Sequence, residues 1–282
     1  MDRLVGLDAW RDYAQRQRAA GRTVGLVPTM GALHAGHRAL FQAARDAGDV
    51  VLATLFVNPR QFGDAADLAA YPRSPEADRA LAEGLVDCLV EPTLLSMWPD
   101  YPESTPTTVS VRGVGDGLES VGRPGHFDGV ASVVTKLFVV TGPCRAYFGE
   151  KDFQQLAVVR ALVRDLGFDV EVVACPIVRD PDGLAVSSRN VLLTPAGREV
   201  ALWLSRALAT VTSPAPASAH RAALRAVLEE SGVDVAYAQV VDPVTLVACD
   251  DDEEGPARAL VAGLVDGVRL IDNAPVTLTK GD

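Results

Sequence analysis

Residues 24–47 constrain the fold of this 282-residue chain more than any other stretch. The segment from Val24 to Pro28 is an apolar run of strand-forming residues, a loop of glycines and small residues follows it, and helical spacing of apolar residues begins at Leu40. The pattern predicts a strand, a tight loop and a helix over 37–47. Such a junction directs unpaired backbone N–H groups and the positive end of a helix dipole at the loop, which favours an anion such as phosphate.

Two histidines, His34 and His37, lie in this loop with Gly36 between them. At a spacing of i and i+3 the rings can point the same way and donate N–H groups to phosphoryl oxygens, while Gly36 lets a ligand approach the backbone. The pattern His-x-Gly-His is typical of enzymes that attack the α-phosphate of a nucleoside triphosphate. A simple α/β junction without a nucleotide remains an alternative. A zinc site is a weaker one, because only His126 and His220 remain as further histidine ligands.

Length and composition exclude several classes of protein. A hydrophobic content of 48% over 282 residues allows a large buried core, and we expect two domains. The formal net charge of −11 argues against a nucleic-acid partner, because phosphate backbones are bound through clustered Lys and Arg. Small anionic ligands held by a few local donors remain compatible with this charge.

The cysteines and the N-terminus indicate where the protein acts. Cys88, Cys144, Cys175 and Cys249 form no Cys-x-x-Cys pair, and three of them lie in or beside apolar runs, where a reduced cysteine packs as a small hydrophobe. The N-terminal residues carry charges without a signal-peptide core, and no apolar run is long enough to span a membrane. We therefore expect a cytoplasmic protein with no membrane partner.

Two amides follow the next predicted strand. The apolar run from Val50 to Val57 is typical of a parallel strand covered on both faces, and it completes a β-α-β unit. Asn58 and Gln61 come directly after it, at the end of the strand where open α/β sheets bind ligands. Both are candidates to orient a polar substrate, although Asn-Pro is also an ordinary turn.

The segment 149–152 forms a second predicted strand-to-helix turn, before a helix over 153–166. Lys151 in this turn can act as a mobile point charge for phosphates. Glu150 and Asp152 can bind a ribose or a metal ion. The turn therefore repeats the geometry of the histidine loop.

A third anion-binding candidate follows a predicted strand over 170–178. Ser187, Ser188 and Arg189 place two hydroxyls and a guanidinium in one short loop, which suits a phosphate clamp. The same residues are equally compatible with a simple capping turn. Beyond them the pattern predicts a small α/β domain, with helices over 195–210 and 219–231 and strands over 235–241, 257–265 and 268–272.

Five motifs in this chain, taken together and in this order, resemble the pantothenate synthetase (pantoate:β-alanine ligase) family. They are residues 28–37, 56–62, 122–127, 149–155 and 187–190. The resemblance runs from about Val24 to Leu193. It implies a Rossmann-like, nucleotidyltransferase-type α/β domain with a parallel sheet over 1–178. It also implies a smaller C-terminal α/β domain over 179–282 that contributes the Ser-Ser-Arg loop, and a homodimer.

The resemblance also assigns ligands. It implies ATP as a substrate, Mg²⁺ as a cofactor, and pantoate and β-alanine as the other small-molecule substrates. The ATP site would be lined by three groups of residues, which are Met30, Gly31, Ala32, Leu33, His34, Ala35, Gly36 and His37; Gly149, Glu150, Lys151 and Asp152; and Val178, Val186, Ser187, Ser188 and Arg189. Pantoate would contact Gln61 and Gln155, with Asn58 and Met30.

The resemblance gives several of these residues catalytic roles. His37 would be a proton donor, and the catalytic set would be His34, His37, Lys151, Ser187, Ser188 and Arg189. Asp78 is the candidate metal ligand, although Ala77 departs from the family's acidic segment.

The reaction implied by the resemblance joins pantoate to β-alanine through a pantoyl adenylate, releasing pyrophosphate and AMP. Pantoate's carboxylate is already ionised, so adenylation needs alignment and neutralisation of phosphoryl charge rather than a base. No residue is an obvious base for the β-alanine amine. Two alternatives remain open, which are a simple nucleotidyltransferase that uses no amine and a catalytically silent nucleotide-binding protein.

Overall fold

Six parallel strands form the main sheet of the computed structural model, which describes residues 1–281. In chain order they are β1 (Asp2–Leu4), β2 (Val24–Thr29), β3 (Val50–Leu55), β4 (Cys88–Val90), β5 (Cys144–Gly149) and β6 (Val170–Cys175). Their order across the sheet is β1-β4-β3-β2-β5-β6, and every neighbouring pair is parallel. The expected mixed α/β fold with a parallel sheet is therefore confirmed.

Helices connect these strands, as parallel pairing requires. They are α1 (Leu7–Ala19), α2 (Ala35–Asp46), α3 (Ala65–Ala70), α4 (Pro75–Ala82), α5 (Leu94–Met97), α6 (Glu119–Gly122), α7 (His126–Thr141) and α8 (Phe153–Leu166). Helix α2 buries Leu40, Phe41 and Ala44 against the sheet, which are the residues whose helical spacing predicted it.

A second sheet follows, with three antiparallel strands in the order β7 (Asp234–Val241), β8 (Gly255–Val265) and β9 (Val268–Leu278). Helices α9 (Pro195–Ala209) and α10 (Ala217–Glu229) pack against it and bury Leu204 and Leu224 in a shared core. Strand β9 is six residues longer than the predicted strand over 268–272, because its later residues pair with β8.

The chain divides into two compact units. The first holds residues 1–150 and 158–176, and the second holds residues 151–157 and 177 onward. The domain boundary expected between residues 178 and 179 stays a prediction, and it differs from this division mainly in the short segment 151–157.

The topology reverses direction at β2. This strand pairs with β3 on one side and β5 on the other, so the chain leaves it in one direction and later returns on the opposite side. In open α/β sheets, the crevice beyond the carboxyl ends of the strands at such a point is where ligands bind. The loop after Thr29 and the turn at Gly149 lie at this end of the sheet.

At the amino end of the sheet, the buried carboxylate of Asp49 reaches across β2. It accepts hydrogen bonds from Arg145 Nη1 at 2.8 Å and from the Tyr147 hydroxyl at 2.6 Å, both on β5. The crossing requires Gly25 on β2, because a Cβ there would lie 2.9 Å from Asp49 Cβ. Burial and the hydrogen bond to Asp49 raise the pKa of Tyr147 well above its usual value.

Candidate active site

The two histidines of the predicted anion loop cap helix α2. His34 has an extended backbone, with φ of −143°, and its Nδ1 accepts a hydrogen bond from the backbone N–H of Gly36 at 3.1 Å. His37 Nδ1 accepts one in return from the backbone N–H of His34 at 3.3 Å. The helix therefore begins at Ala35, two residues before the predicted start, and His37 lies in its first turn.

These caps determine which nitrogen of each neutral ring carries the proton. Because both Nδ1 atoms accept from backbone N–H groups, the ring proton must be on Nε2 in His34 and in His37. The two ring centroids are 4.1 Å apart with an interplanar angle of 39°. Gly36 leaves room for this arrangement, since a Cβ there would lie 2.9 Å from His34 Cε1. Both rings thus have an Nε2–H donor at the positive end of a helix.

Asp78 holds the loop that precedes the histidines. Its Oδ2 accepts from Ala32 N at 3.0 Å, and its Oδ1 accepts from Leu33 N at 2.7 Å and from the Ser74 hydroxyl at 3.2 Å. Ala32 has a positive φ of 49°, which an alanine adopts only where its surroundings enforce it. The carboxylate, which is only 3% exposed, provides that restraint.

These contacts bear on the predicted metal site. Asp78 already accepts three hydrogen bonds, and its assignment as a magnesium ligand stays a prediction. Within residues 1–281, no group of three or more His, Cys, Asp or Glu side chains is placed to hold a metal ion.

Asn58 and Gln61 are both buried and lie against each other. Asn58 Nδ2 donates to Gln61 Oε1 at 3.1 Å and to the Gly129 carbonyl at 3.1 Å. The indole N–H of Trp98 donates to Asn58 Oδ1 at 3.0 Å. The chain itself therefore engages both ends of the Asn58 amide. The contact with pantoate expected of this residue remains a prediction.

The backbone of Gln61 is fixed from helix α7. His126 Nε2 lies 3.2 Å from Arg123 Nη1, and its Nδ1 lies 2.8 Å from the Gln61 carbonyl. A guanidinium only donates and a carbonyl only accepts, so Nδ1 of His126 carries the proton that reaches Gln61. Gly129 permits this approach, since a Cβ there would be 2.6 Å from Gln61 Cα.

The turn around Lys151 is held from the second sheet. The Lys151 carbonyl accepts from Asn273 Nδ2 at 3.0 Å, and Asn273 Oδ1 accepts from Arg258 Nε at 2.7 Å. The Arg258 guanidinium also lies 4.4 Å from the centre of the Phe153 ring. Glu150, Lys151 and Asp152 form a single turn of 3₁₀-helix that leads into α8, where Gln155 is half-buried.

The Ser-Ser-Arg loop begins a short 3₁₀-helix over Ser188–Leu192. Ser187 Oγ accepts from Arg189 N at 3.3 Å, so Ser187 is a capping residue, as one of the two interpretations predicted. The backbone N–H of Val186 donates to the Val178 carbonyl at 2.9 Å. The structure therefore pairs two residues that the resemblance assigns to one group of the predicted ATP site.

The predicted site residues are shared between the two compact units. The first holds residues 30–37, Asn58, Gln61, Asp78, Gly149 and Glu150, and the second holds Lys151, Asp152, Gln155, Val178 and residues 186–189. Reasoning from the sequence missed Trp98, Gly129, Arg258 and Asn273. They support site residues from distant parts of the chain, and no local pattern marks such contacts.

Residues 4–275 match the family model for pantoate-beta-alanine ligase. The chain belongs to this family. It is 50% identical over 275 residues to the pantothenate synthetase of Paracoccus denitrificans (strain Pd 1222), with 95% of each chain covered. The expected resemblance is therefore confirmed, and the protein is a ligase.

Solved structures agree. The pantothenate synthetase of Thermus thermophilus superposes with a TM-score of 0.89 at 44% identity, covering 97% of this chain and 99% of that one. The pantoate-beta-alanine ligase of Francisella tularensis superposes with a TM-score of 0.80 at 30% identity, covering 97% of each chain, and that protein was complexed with beta-gamma ATP and beta-alanine. Among the helices described here, none has the length and apolarity to cross a membrane.

Proposed function

We propose that this chain condenses (R)-pantoate with β-alanine in an ATP-dependent reaction, through a pantoyl-adenylate intermediate, giving pantothenate, AMP and pyrophosphate. The observation that carries the proposal is the reciprocal capping of α2 by His34 and His37 at the carboxyl end of β2. It places two Nε2–H donors where the helix dipole already favours an anion. Membership of the ligase family gives the reaction that such a site would serve.

Adenylation requires stabilisation of the charge that develops on the phosphoryl oxygens. Donors fixed before the reaction are effective here because they need not reorganise as the charge develops. His34 and His37 are fixed in this way by their own caps, and His37 would be the proton donor in the sense that its Nε2–H is offered in a hydrogen bond to a phosphoryl oxygen. Lys151, Ser187, Ser188 and Arg189 are the other members of the proposed catalytic set.

The rest of the ATP site would be formed mainly by backbone. Residues 30–37 offer the loop and the first turn of α2, residues 149–152 offer a second strand-to-helix turn, and Val178 pairs with Val186 beside the Ser-Ser-Arg loop. Pantoate would be held by Gln61 and Gln155, with Asn58 and Met30 beside it. Neutral amides suit this role, because they bond to hydroxyl and carboxylate oxygens without adding negative charge next to the reacting carboxylate.

Mg²⁺ would enter this site with the nucleotide. It keeps several waters and binds through one or two carboxylates plus substrate phosphates. Asp78 is the ligand expected from the sequence, and Glu150 and Asp152 are further carboxylates in the predicted ATP site. When bound, the ion would neutralise part of the triphosphate charge.

We also infer that the protein acts as a homodimer in the cytoplasm. The family resemblance supports the dimer. Four buried free cysteines suit a reducing compartment. Light scattering after size-exclusion chromatography tests the dimer, because a monomeric mass at micromolar concentration would contradict it.

Isotope exchange tests the adenylate route. Wild-type protein with ATP, Mg²⁺ and pantoate, but without β-alanine, should exchange labelled pyrophosphate into ATP, because formation of a bound adenylate is reversible. A nucleotidyltransferase could also exchange pyrophosphate, but it would release a stable NMP product and would not consume β-alanine, which chromatography of the products shows. A silent nucleotide-binding protein would give no exchange. Loss of exchange on omitting pantoate is the control. No pantoate-dependent exchange in a folded sample would reject the proposal.

A further inference from the structure

Three side chains of the first unit form a chain of hydrogen bonds that ends at the predicted pantoate pocket. The Trp98 indole donates to Asn58, and Asn58 donates to Gln61. Asn58 is 1% exposed and Gln61 is 6% exposed, so neither amide exchanges these partners freely for water.

The orientation of the Asn58 amide follows from its partners. An indole N–H can only donate, so the Asn58 oxygen must face Trp98. The Gly129 carbonyl can only accept, so the Asn58 nitrogen must face Gly129. Two independent partners thus require the same orientation. The second N–H of the Asn58 amide then points at Gln61, which must present its oxygen in return.

The consequence is a fixed polarity at Gln61. With Oε1 facing Asn58, the end of the Gln61 amide that is turned away from Asn58 is Nε2, which carries two N–H donors and no acceptor. A flip of the Gln61 amide would turn its NH₂ group toward the Asn58 NH₂ group, so Asn58 holds the orientation of the amide, while His126 and Gly129 hold the Gln61 backbone.

We propose that Trp98 is a positioning residue that fixes Gln61 as a hydrogen-bond donor, so that the pocket selects an acceptor oxygen of a hydroxy-acid carboxylate or hydroxyl. The inference rests on the proposed function, since it takes pantoate as the ligand of Gln61. It adds that the selectivity of the pocket depends on the Trp98 indole, which acts on Gln61 through Asn58.

Trp98 is itself well restrained. The Arg60 guanidinium lies 4.5 Å from the centre of its ring, and Lys136 Nζ lies 5.3 Å from it. Lys136 also donates to the carbonyls of Ser96 and Met97, directly before Trp98, and burial lowers the pKa of this lysine. The indole is therefore held by cations on its ring as well as through its N–H group.

Trp98→Phe tests the inference, because it keeps an aromatic ring for both cations and removes the indole N–H together with part of the ring, a loss of ring that the control variant below shares. Removing one buried hydrogen bond of this kind changes an equilibrium by about fivefold. We expect the Kd for pantoate, measured by calorimetry, and the KM for pantoate to rise by about that factor, while the Kd for ATP is unchanged. Trp10→Phe is the matched control, because the Trp10 indole is equally aromatic, fully buried and has no hydrogen-bond partner among the described residues.

A second ligand distinguishes a loss of the fixed hydrogen-bond orientation of Gln61 from a general loosening of the pantoate pocket. The carboxamide of pantoate presents both donors and acceptors, so Trp98→Phe should weaken its binding less than that of pantoate itself. Equal weakening of both ligands, a parallel loss of ATP binding, or a pantoate Kd equal to that of Trp10→Phe would each overturn the inference.

If Trp98→Phe does not fold, Asn58→Ser is measured against the same outcomes, since it also leaves the Gln61 amide without a fixed partner. Pantoate-dependent exchange in the wild type keeps this result separate from a failure of the proposed function.

Discussion

The two ends of the main sheet each bury a carboxylate, and the two are satisfied by different kinds of partner. At the carboxyl end, Asp78 accepts two backbone N–H groups of a loop and one hydroxyl. At the amino end, Asp49 accepts from two side chains, Arg145 and Tyr147, on a strand two positions away in the sheet. Asp78 therefore fixes the path of a loop, whereas Asp49 fixes the association of strands.

The comparison teaches where function and stability separate in this fold. The contacts of Asp78 with backbone N–H groups fix the loop before His34. They therefore determine the direction in which the other backbone N–H groups of this loop point. Contacts between side chains across β2 determine only that the sheet holds together. Changes at the carboxyl end should therefore alter kinetics, and changes at the amino end should alter the free energy of unfolding.

The largest kinetic effect is expected from His37→Ala at the carboxyl end. Removing a donor that is fixed before the reaction typically costs about 3–4 kcal/mol of transition-state stabilisation, so kcat should fall on the order of 10² or more. The loss of its hydrogen bond to the His34 backbone should cost only about 1 kcal/mol of unfolding free energy. A kcat close to that of the wild type would show that His37 does not take part in the chemical step.

A smaller effect on ATP is expected from Asp78→Asn. One of the two loop N–H groups would then face an amide NH₂, and an unsatisfied buried donor costs about 1–3 kcal/mol. The KM for ATP should rise by about tenfold as the loop loosens. Titrating Mg²⁺ distinguishes the two roles of this residue. A restraint on the loop predicts the same rise at every Mg²⁺ concentration, whereas a metal ligand predicts recovery at high Mg²⁺.

Asp49→Asn is the matched variant at the amino end. It also removes the charge of a buried carboxylate with good hydrogen bonds, so the free energy of unfolding should fall by about 1–3 kcal/mol. All KM values should stay at their wild-type levels. A raised KM for ATP in this variant would show that the two ends of the sheet are coupled. It would contradict the separation of kinetic effects at the carboxyl end from stability effects at the amino end.

The smallest effect is expected in thiol labelling. Cys88 and Cys144 begin strands at the amino end, and burial raises the pKa of each to about 12. Thiolates react and thiols do not, so native wild-type protein at pH 8 should be labelled at these residues only through rare opening of the sheet. Asp49→Asn should speed labelling of Cys144, and Asp78→Asn should not. Identical rates in the two variants would contradict the separation.

The sequence predicted much of the architecture because the apolar patterns are strong. The β-α-β unit around residues 24–57, the strand before Gly149 and the smaller C-terminal α/β region all follow from periodicity. The start of α2 was wrong by two residues, because a histidine is an unusual N-cap and only the geometry shows that His34 fills this role. Strand β1 was not predicted, because three residues with one apolar side chain carry no pattern.

The sequence predicts a set of candidate site residues, which stays a prediction, but it does not predict the contacts that support them. His34, His37 and Gln61 stand in short motifs, whereas their supports come from far along the chain. Trp98 lies 40 residues from Asn58, and Asn273 lies 122 residues from Lys151. Such partners are selected by tertiary packing, so no local spacing reveals them.

Gly25 also has a consequence for folding. The carboxylate of Asp49 can reach β5 only where β2 has no Cβ. If β2 slipped along its neighbours by one residue, Val24 or Leu26 would take that place, and its side chain would block the crossing. The ion pair between Asp49 and Arg145 therefore forms only in the native register. Because the histidine loop continues from β2, the register that Gly25 selects during folding is also the register from which that loop begins.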